Sequence, residues 1–375
     1  MPKRHIVQCA RTVGPGYGGS GPTFHLERAF QALGCGCERF SLADLGIFTQ
    51  AMPEGTPLLA LLRFWRDVLV FSTLGSLILW WRYRKRPPGT VVICQVDALF
   101  GDLFVVRALH KGFLANHPQR WLMLLRNPLH AFVLARDHIR FKGKVHKHFV
   151  ALSKANKEQI IQLYQVDPER ITVIPNGVDL RRFRACPVAR GEVRGALSIP
   201  AADLVAIFVG HEFERKGLRI VLEALRMLAS QGTRLWLLIA GRDSPDPLRA
   251  DFADLAPTVR FLGNLPDLER YYAASDLFVM PAAYDISPLV GPEALACGLP
   301  LLMTDVGGVR DYLEDGSNGL LIGPDPGDLA EKLTRLAHDP VLLASLSARA
   351  RPSVADRDWP VVAGRFLELL DRLDL

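Results

Sequence analysis

Short apolar runs recur along the chain, each closed by glycine, proline or a polar turn and followed by a stretch with helical spacing. Continuous apolar runs of this length read as strands buried on both faces of a parallel sheet, with helices as the crossovers. The runs at 5–10, 90–96, 121–125, 149–152 and the run from 171 predict strands. So do those at 204–209, 235–240, 259–262, 277–280 and 299–304. Strands alternating with helices place the chain in the α/β class.

Helix signals punctuate the same pattern. Thr23 reads as a cap for a helix to about residue 33, and Ser153 for one to about residue 164. Pro292 and Glu293 open a short helix that Gly298 ends, and Gly307–Gly308 turn the chain into a further helix at 309–314. Residues 181–200 read as a loop-rich linker, and Trp359 with the amphipathic stretch 361–373 as a closing helix. The segment 58–81, rich in Leu, Phe and Trp, is interrupted by Arg63, Arg66 and Asp67. What remains, 68–81, is too short to span a bilayer, so most of it predicts a buried helix of the first domain. Trp80–Trp81 beside Arg82, Arg84, Lys85 and Arg86 also suits a membrane surface.

Length and charge narrow the classes. The 375 residues suffice for two ordinary domains. Cysteines at 9, 35, 37, 94, 186 and 297 form no CxxC pair, which argues for a reducing compartment and against a cysteine-bound zinc; Cys35 and Cys37 read as turn residues. The N-terminus runs directly into a strand and a glycine-rich loop, unlike a signal peptide. Residues 1–175 hold 23 Lys+Arg and 11 Asp+Glu (+12), leaving 22 and 28 (−6) for the rest, which sums to +6. A basic first half expects an anionic partner. No zinc-finger spacing or aromatic-studded basic motif points to nucleic acid.

The candidate chemistry clusters after strand ends. The stretch 281–308 sets Asp285 in a loop and Glu293 eight residues later in a helix. A carboxylate can accept from two vicinal sugar hydroxyls, and backbone N–H groups at a helix start suit a phosphate. Arg215 and Lys216 precede Gly217 at another helix start, where cations are unfavourable unless an anion binds. The glycine-rich loop 14–21 contains GxGxxG spacing, a weak signal alone. Asp97, and Arg126 with Asn127, follow expected strand ends, the edge that faces ligand in doubly wound sheets. His146 and His148, flanking Lys147, read as solvated.

The Asp285/Glu293 spacing resembles the Glu-x7-Glu motif of the retaining glycosyltransferase family 4, the glycosyl transferases group 1. ALACGLPLLMTDVGG at 294–308, IPNGVD at 174–179 and the Arg215-Lys216-Gly217 segment are similar to its other landmarks. The resemblance implies a GT-B architecture, two Rossmann-like doubly wound domains facing across a cleft. It places an acceptor-binding domain at 1–185, a nucleotide-sugar domain at 186–355, and a helix at 356–375 returning to the first. It implies Glu293 as the ribose ligand and Asp285, an Asp where the family has Glu, as the sugar-side carboxylate. Arg215 and Lys216 become the diphosphate cations, His211 standing where many relatives carry Arg. Gly18, Gly19, Gly210, Asn264, Leu289 and Val290 complete the donor contacts. Arg126 and Asn127 are acceptor-side candidates, and Asp97 the one first-half carboxylate to watch for a catalytic part.

The implied reaction moves a hexose from a UDP- or GDP-sugar, with retention and without a metal cofactor, to a lipid-linked or polysaccharide acceptor in bacterial envelope glycan synthesis. Lipopolysaccharide assembly is the type. The expected place is the inner face of the cytoplasmic membrane, held peripherally by the basic half. Two other classes fit the same fold: a sugar-nucleotide epimerase or hydrolase, and a non-catalytic membrane-associated subunit.

Overall fold

The computed structural model describes residues 4–15, 20–47, 57–115 and 120–375. Two compact units result, Met1–Gly177 with Trp359–Leu375, and Val178–Asp358. The division falls before the expected 185/186 boundary, for a local reason. Arg182 binds Glu269 and the Pro266 carbonyl, and Phe183 packs on Tyr272, so this segment is tied to the second unit.

The first unit is a six-stranded parallel sheet in the order β2-β1-β3-β4-β5-β6. Its strands are β1 His5–Cys9, β2 Gly36–Phe40, β3 Thr90–Cys94, β4 Leu103–Val106, β5 His148–Ala151 and β6 Ile171–Val173. The residues of β4 and β5 are all buried, as expected of a sheet covered on both faces. The closing helix Trp359–Arg372 packs on helix Gly21–Ala32 and contributes Trp359, Val362, Phe366 and Leu370 to this unit's core. Gly177 is small because Trp359 lies there: a Cβ would sit 2.5 Å from the indole.

The second unit repeats the plan as β12-β11-β10-β7-β8-β9, again all parallel. Its strands are β7 Val205–Val209, β8 Trp236–Ala240, β9 Val259–Gly263, β10 Leu277–Met280, β11 Leu301–Thr304 and β12 Gly319–Ile322.

Several expectations are corrected. Residues 121–125 are not a strand but part of helix Arg120–Arg126, whose Trp121, Leu122 and Leu125 are exposed. The strand of that part of the sheet is β4, which follows β3 without an intervening helix. The expected linker contains helix Pro187–Ala196, which anchors to Asp276 through Arg190 and Arg194. The helix expected at 309–314 is a short 3-10 turn, Val309–Asp311. Ser20, not Thr23, precedes the first helix, and Thr23 is wholly buried inside it. Cys37 lies in β2, outside the expected turn.

His146 and His148 are not solvated. Both are buried, His146 against Phe104 and His148 bonded to Thr172 Oγ1 at 2.8 Å. Burial, with nearby arginines, pushes them down to about 3 and about 4 respectively, so both are neutral. The segment 58–81 is helical through Pro57–Val70, a π-turn at Phe71–Gly75 and Ser76–Tyr83, but only one face is buried. Val68, Phe71 and Leu79 point inward, while Phe64, Leu74, Leu77, Trp80 and Trp81 are exposed.

Candidate functional site

In the second unit the chain runs from β7 to β8 and β9 on one side, then returns to build β10, β11 and β12 on the other. The adjoining carboxyl ends of β7 and β10 are therefore the topological switch point, where open α/β sheets leave a crevice. Lys216 arrives from the β7 end and Asp285 from the β10 end, and the Lys216 ammonium pairs with Asp285 Oδ2. Asp285 Oδ1 accepts from the backbone N–H groups of Ile286 at 2.7 Å and Ser287 at 3.2 Å. It is thus both a turn-forming residue and the counter-charge of Lys216.

Two glycines make that approach possible. Gly217 has φ +79, and a Cβ there would lie 2.1 Å from the Pro281 carbonyl oxygen. Gly307 has φ +55, and its Cβ would lie 2.3 Å from the Asp285 carbonyl. Only glycine combines a left-handed backbone with such proximity. Arg215 bonds Glu212 and the Tyr284 carbonyl, and its own carbonyl accepts from Ala283 at 2.9 Å, which sews the two loops together. Gly217 also caps the thirteen-residue helix Leu218–Ser230 without a side-chain acceptor; the Leu218 N–H goes to the Phe213 carbonyl at 2.9 Å, and the N–H groups next in line suit an anion. Leu289 and Val290 start helix Val290–Ala296, whose seven residues give a weaker dipole.

Glu293 projects from that short helix and is buried, with the Tyr272 hydroxyl donating to it at 3.4 Å. Burial pushes its carboxyl up to about 8, against the pull of the Arg182 guanidinium. Gly210, Gly241 and Gly263 stand at the ends of β7, β8 and β9, and bonds from Gly210 N to Ala240 O and from Gly241 N to Gly263 O tie them edge to edge. Beyond this lip, Arg242 Nε donates to Asn264 Oδ1 at 3.3 Å, and Arg242 N to His211 Nδ1 at 3.0 Å. Burial and the Arg242 charge lower the His211 pKa, and a ring whose Nδ1 accepts from the Arg242 N–H carries its proton on Nε2. Arg242 escaped the sequence reading, although it directly follows a strand-ending glycine.

The first unit places its candidates differently. Gly18 and Gly19 lie outside the described residues. Asp97 follows β3 but is buried, held by Arg11 at 2.6 Å and by Arg136. Arg136 and Arg140 both reach Asp137, so the group is an internal ion network and Asp97 is poorly suited to act as a nucleophile. Arg126 ends a helix, and Asn127 Oδ1 accepts from Leu129 N at 3.1 Å; neither follows a strand. The residue at that place is Arg107, directly after β4. Arg107 Nε donates to Gln95 Oε1 at 2.9 Å and Nη1 to Asn176 Oδ1 at 3.0 Å. His110 follows, stacked on His130 with a 2.9 Å contact between ring nitrogens. Burial pushes His110 down to about 4.

Comparison with known proteins agrees with this geometry. Residues 189–353 match the family profile described as glycosyl transferases group 1, and residues 58–182 match that of glycosyltransferase family 4. A D-inositol 3-phosphate glycosyltransferase of Thermobispora bispora is 34% identical over 289 residues, 69% of this chain and 67% of that protein. The same-named protein of Thermomonospora curvata is 33% identical over 59% of this chain, but the match spans only 56% of its own length. Among solved structures, a sucrose-phosphate synthase from Thermosynechococcus elongatus aligns with TM-score 0.75 and 19% identity over 99% of both chains. WaaG, a glycosyltransferase involved in lipopolysaccharide biosynthesis, aligns with TM-score 0.75 and 20% identity over 97% of this chain and 99% of its own. Anabaena HepE in complex with UDP and glucose gives 0.68 and 18% over 98% and 99%. At these identities the structures speak for the fold alone, the GT-B class. The two sheets, the family matches and the Thermobispora relative together establish that the chain belongs to the group 1 glycosyl transferases and is a glycosyltransferase.

Proposed function

We propose that the chain transfers a hexose from a UDP- or GDP-sugar with retention of anomeric configuration, the second unit gripping the donor and the first the acceptor. The observation that carries this reading is the Lys216–Asp285 pair at the switch point, in the same unit as buried Glu293. Glu293 would accept from the ribose hydroxyls, and Lys216 and Arg215 would stabilise the diphosphate as its charge grows on departure. That charge comes from side chains, so the route needs no metal. The departing phosphate would help take the acceptor proton on the same face, which suits a first unit whose Asp97 is locked between arginines.

Similar proteins support two acceptor classes. The curated relatives are named for D-inositol 3-phosphate, a small phosphorylated cyclitol, and WaaG for lipopolysaccharide. Incubation with a panel of UDP- and GDP-sugars and both acceptor types, read by NMR at the anomeric carbon, tests the reading. Transfer with retained configuration is expected. An inverted product overturns the mechanism, and epimerised or hydrolysed donor without transfer favours the other reactions open to this fold.

We further propose peripheral attachment to an anionic membrane through the helical segment 57–83. No helix of the described residues is long and apolar enough to cross a membrane. The supporting observation is the exposed apolar face that ends in Trp80 and Trp81, the latter 68% exposed. Charge contributes less than the basic sequence suggests. Arg82 is paired with Glu38 and Asp44, and Arg86 with buried Asp102. Arg136 and Arg140, which also count toward the basic first half, are internal. Arg84, over the Trp80 ring, and exposed Lys85 are left to meet headgroups, at about 1 kcal/mol each. Trp80→Ser with Trp81→Ser is therefore expected to abolish co-sedimentation with anionic liposomes, and high salt to reduce it only in part. Undiminished recovery of the double variant would remove the support for this attachment.

A further inference from the structure

Arg107 is a half-buried cation with no carboxylate within ion-pair distance among the described residues, and both its bonded partners are neutral amide oxygens. Fully buried Arg136, Arg140 and Arg194, by contrast, each face an aspartate. Burial without a counter-charge pushes Arg107 down to about 10, which leaves it fully charged at neutral pH. Withdrawing a guanidinium from water is costly unless an anion offsets it.

The surroundings fix the side chain without neutralising it. Gln8 of β1 donates to the Thr23 carbonyl at 3.1 Å and accepts from Gln95 at 2.9 Å. Gln95 then accepts from Arg107, and Arg107 reaches Asn176 beyond β6. A chain of uncharged amides thus crosses the carboxyl edge of the sheet and aims one guanidinium whose other N–H groups can be given to a ligand. A planar fork held this way matches an oxyanion, which it can grip bidentately.

We propose that Arg107 is an oxyanion-reading residue of the acceptor site, so that the acceptor carries a phosphate or carboxylate next to the hydroxyl that receives the sugar. This rests on the reading that the first unit binds the acceptor. It adds the acceptor's charge and the residue that recognises it.

The test uses the full chain with its donor site kept filled by saturating UDP, so that added anions report another site. Glycerol, glyceric acid and glycerol 3-phosphate are matched probes of neutral, carboxylate and phosphate character, read by thermal shift. Vesicles of phosphatidic acid in phosphatidylcholine supply the same phosphate as a lipid headgroup. Wild type is expected to respond to at least one anionic probe and not to glycerol. Arg107→Gln is expected to weaken that response about tenfold to a hundredfold. Because Arg107→Gln disturbs a buried network, Asn176→Asp serves as the second variant. It is nearly isosteric, places a carboxylate on the guanidinium and should compete with the anion while the fold is kept. A purely structural Arg107 would leave anion binding unchanged in Asn176→Asp. The responding arm, soluble or vesicle, identifies the source of the oxyanion. No anion-specific response in wild type, or one that survives in both variants, overturns the proposal. Binding of UDP itself, measured in the same samples, reports separately on the donor reading.

Discussion

Lys216→Ala is expected to lower kcat about a hundredfold to a thousandfold under donor saturation, the effect of removing one fixed donor from a developing charge. Breaking the sugar–phosphate bond leaves extra negative charge on the diphosphate, so an ammonium held nearby stabilises the transition state more than the ground state. The geometry holds it well. Lys216 is 8% exposed, paired with Asp285 and set beside Gly210, where a Cβ would come within 3.3 Å of its Cγ. Arg215→Ala should act in the same direction but less strongly, because Glu212 and the Tyr284 carbonyl already engage that guanidinium. The Lys216 variant leaves Asp285 without its cation, so its melting temperature must be measured alongside. Turnover of both folded variants at the wild-type rate would place the diphosphate elsewhere.

The contact behind this prediction was half legible in the sequence. Arg215-Lys216-Gly217 and Asp285 could each be marked from local chemistry, because helix starts and turns leave residue signatures. That Lys216 and Asp285 meet could not be read, since a contact between residues so far apart depends on which strands are neighbours. Strand order is a tertiary outcome. Five of the second unit's six strands are legible to within two residues, because each of those apolar runs is closed by Gly, Pro or a turn. The sixth, β12 Gly319–Ile322, is not among the strands the sequence predicts.

The first unit was harder, for identifiable reasons. Parallel strands normally need a crossover of a dozen or more residues, yet β3 and β4 are joined by residues 95–102 with no helix between. The run at 121–125 reads as the missing strand, because a short apolar run does not declare its period. It is an exposed helix with Trp121 and Leu125 outward. Missing β4 hid Arg107 as well, since its interest lies in following a strand end. His146 and His148 misled because the aromatic and arginine neighbours that bury them come from other elements.

Donor affinity is expected to rise with pH up to about 8, and Glu293 is the cause. Its carboxyl, ordinarily near 4.5, is pushed up to about 8 by burial in the free protein. Below that value the free protein holds a proton there, whereas an ionised carboxylate is the better acceptor for two ribose hydroxyls. Binding therefore releases the proton. The affinity for whichever nucleotide sugar stabilises the protein in a thermal-shift panel should climb by up to roughly tenfold per pH unit toward 8 and then level off. A nucleotide sugar's diphosphate is doubly esterified and does not titrate in this range, so the slope reports the protein. The stability of the free protein moves the other way. A carboxyl raised above its unfolded value contributes stability that is present below about 4.5 and lost as pH rises through about 8. Glu293→Gln should remove both dependences, leaving binding flat with pH and about tenfold to a hundredfold weaker above 8. Calorimetry at pH 7 in buffers of different ionisation enthalpy checks the released proton directly. Heats that do not depend on the buffer would show that Glu293 keeps its protonation state on binding, and full donor affinity in a folded Glu293→Gln would remove it from the ribose altogether.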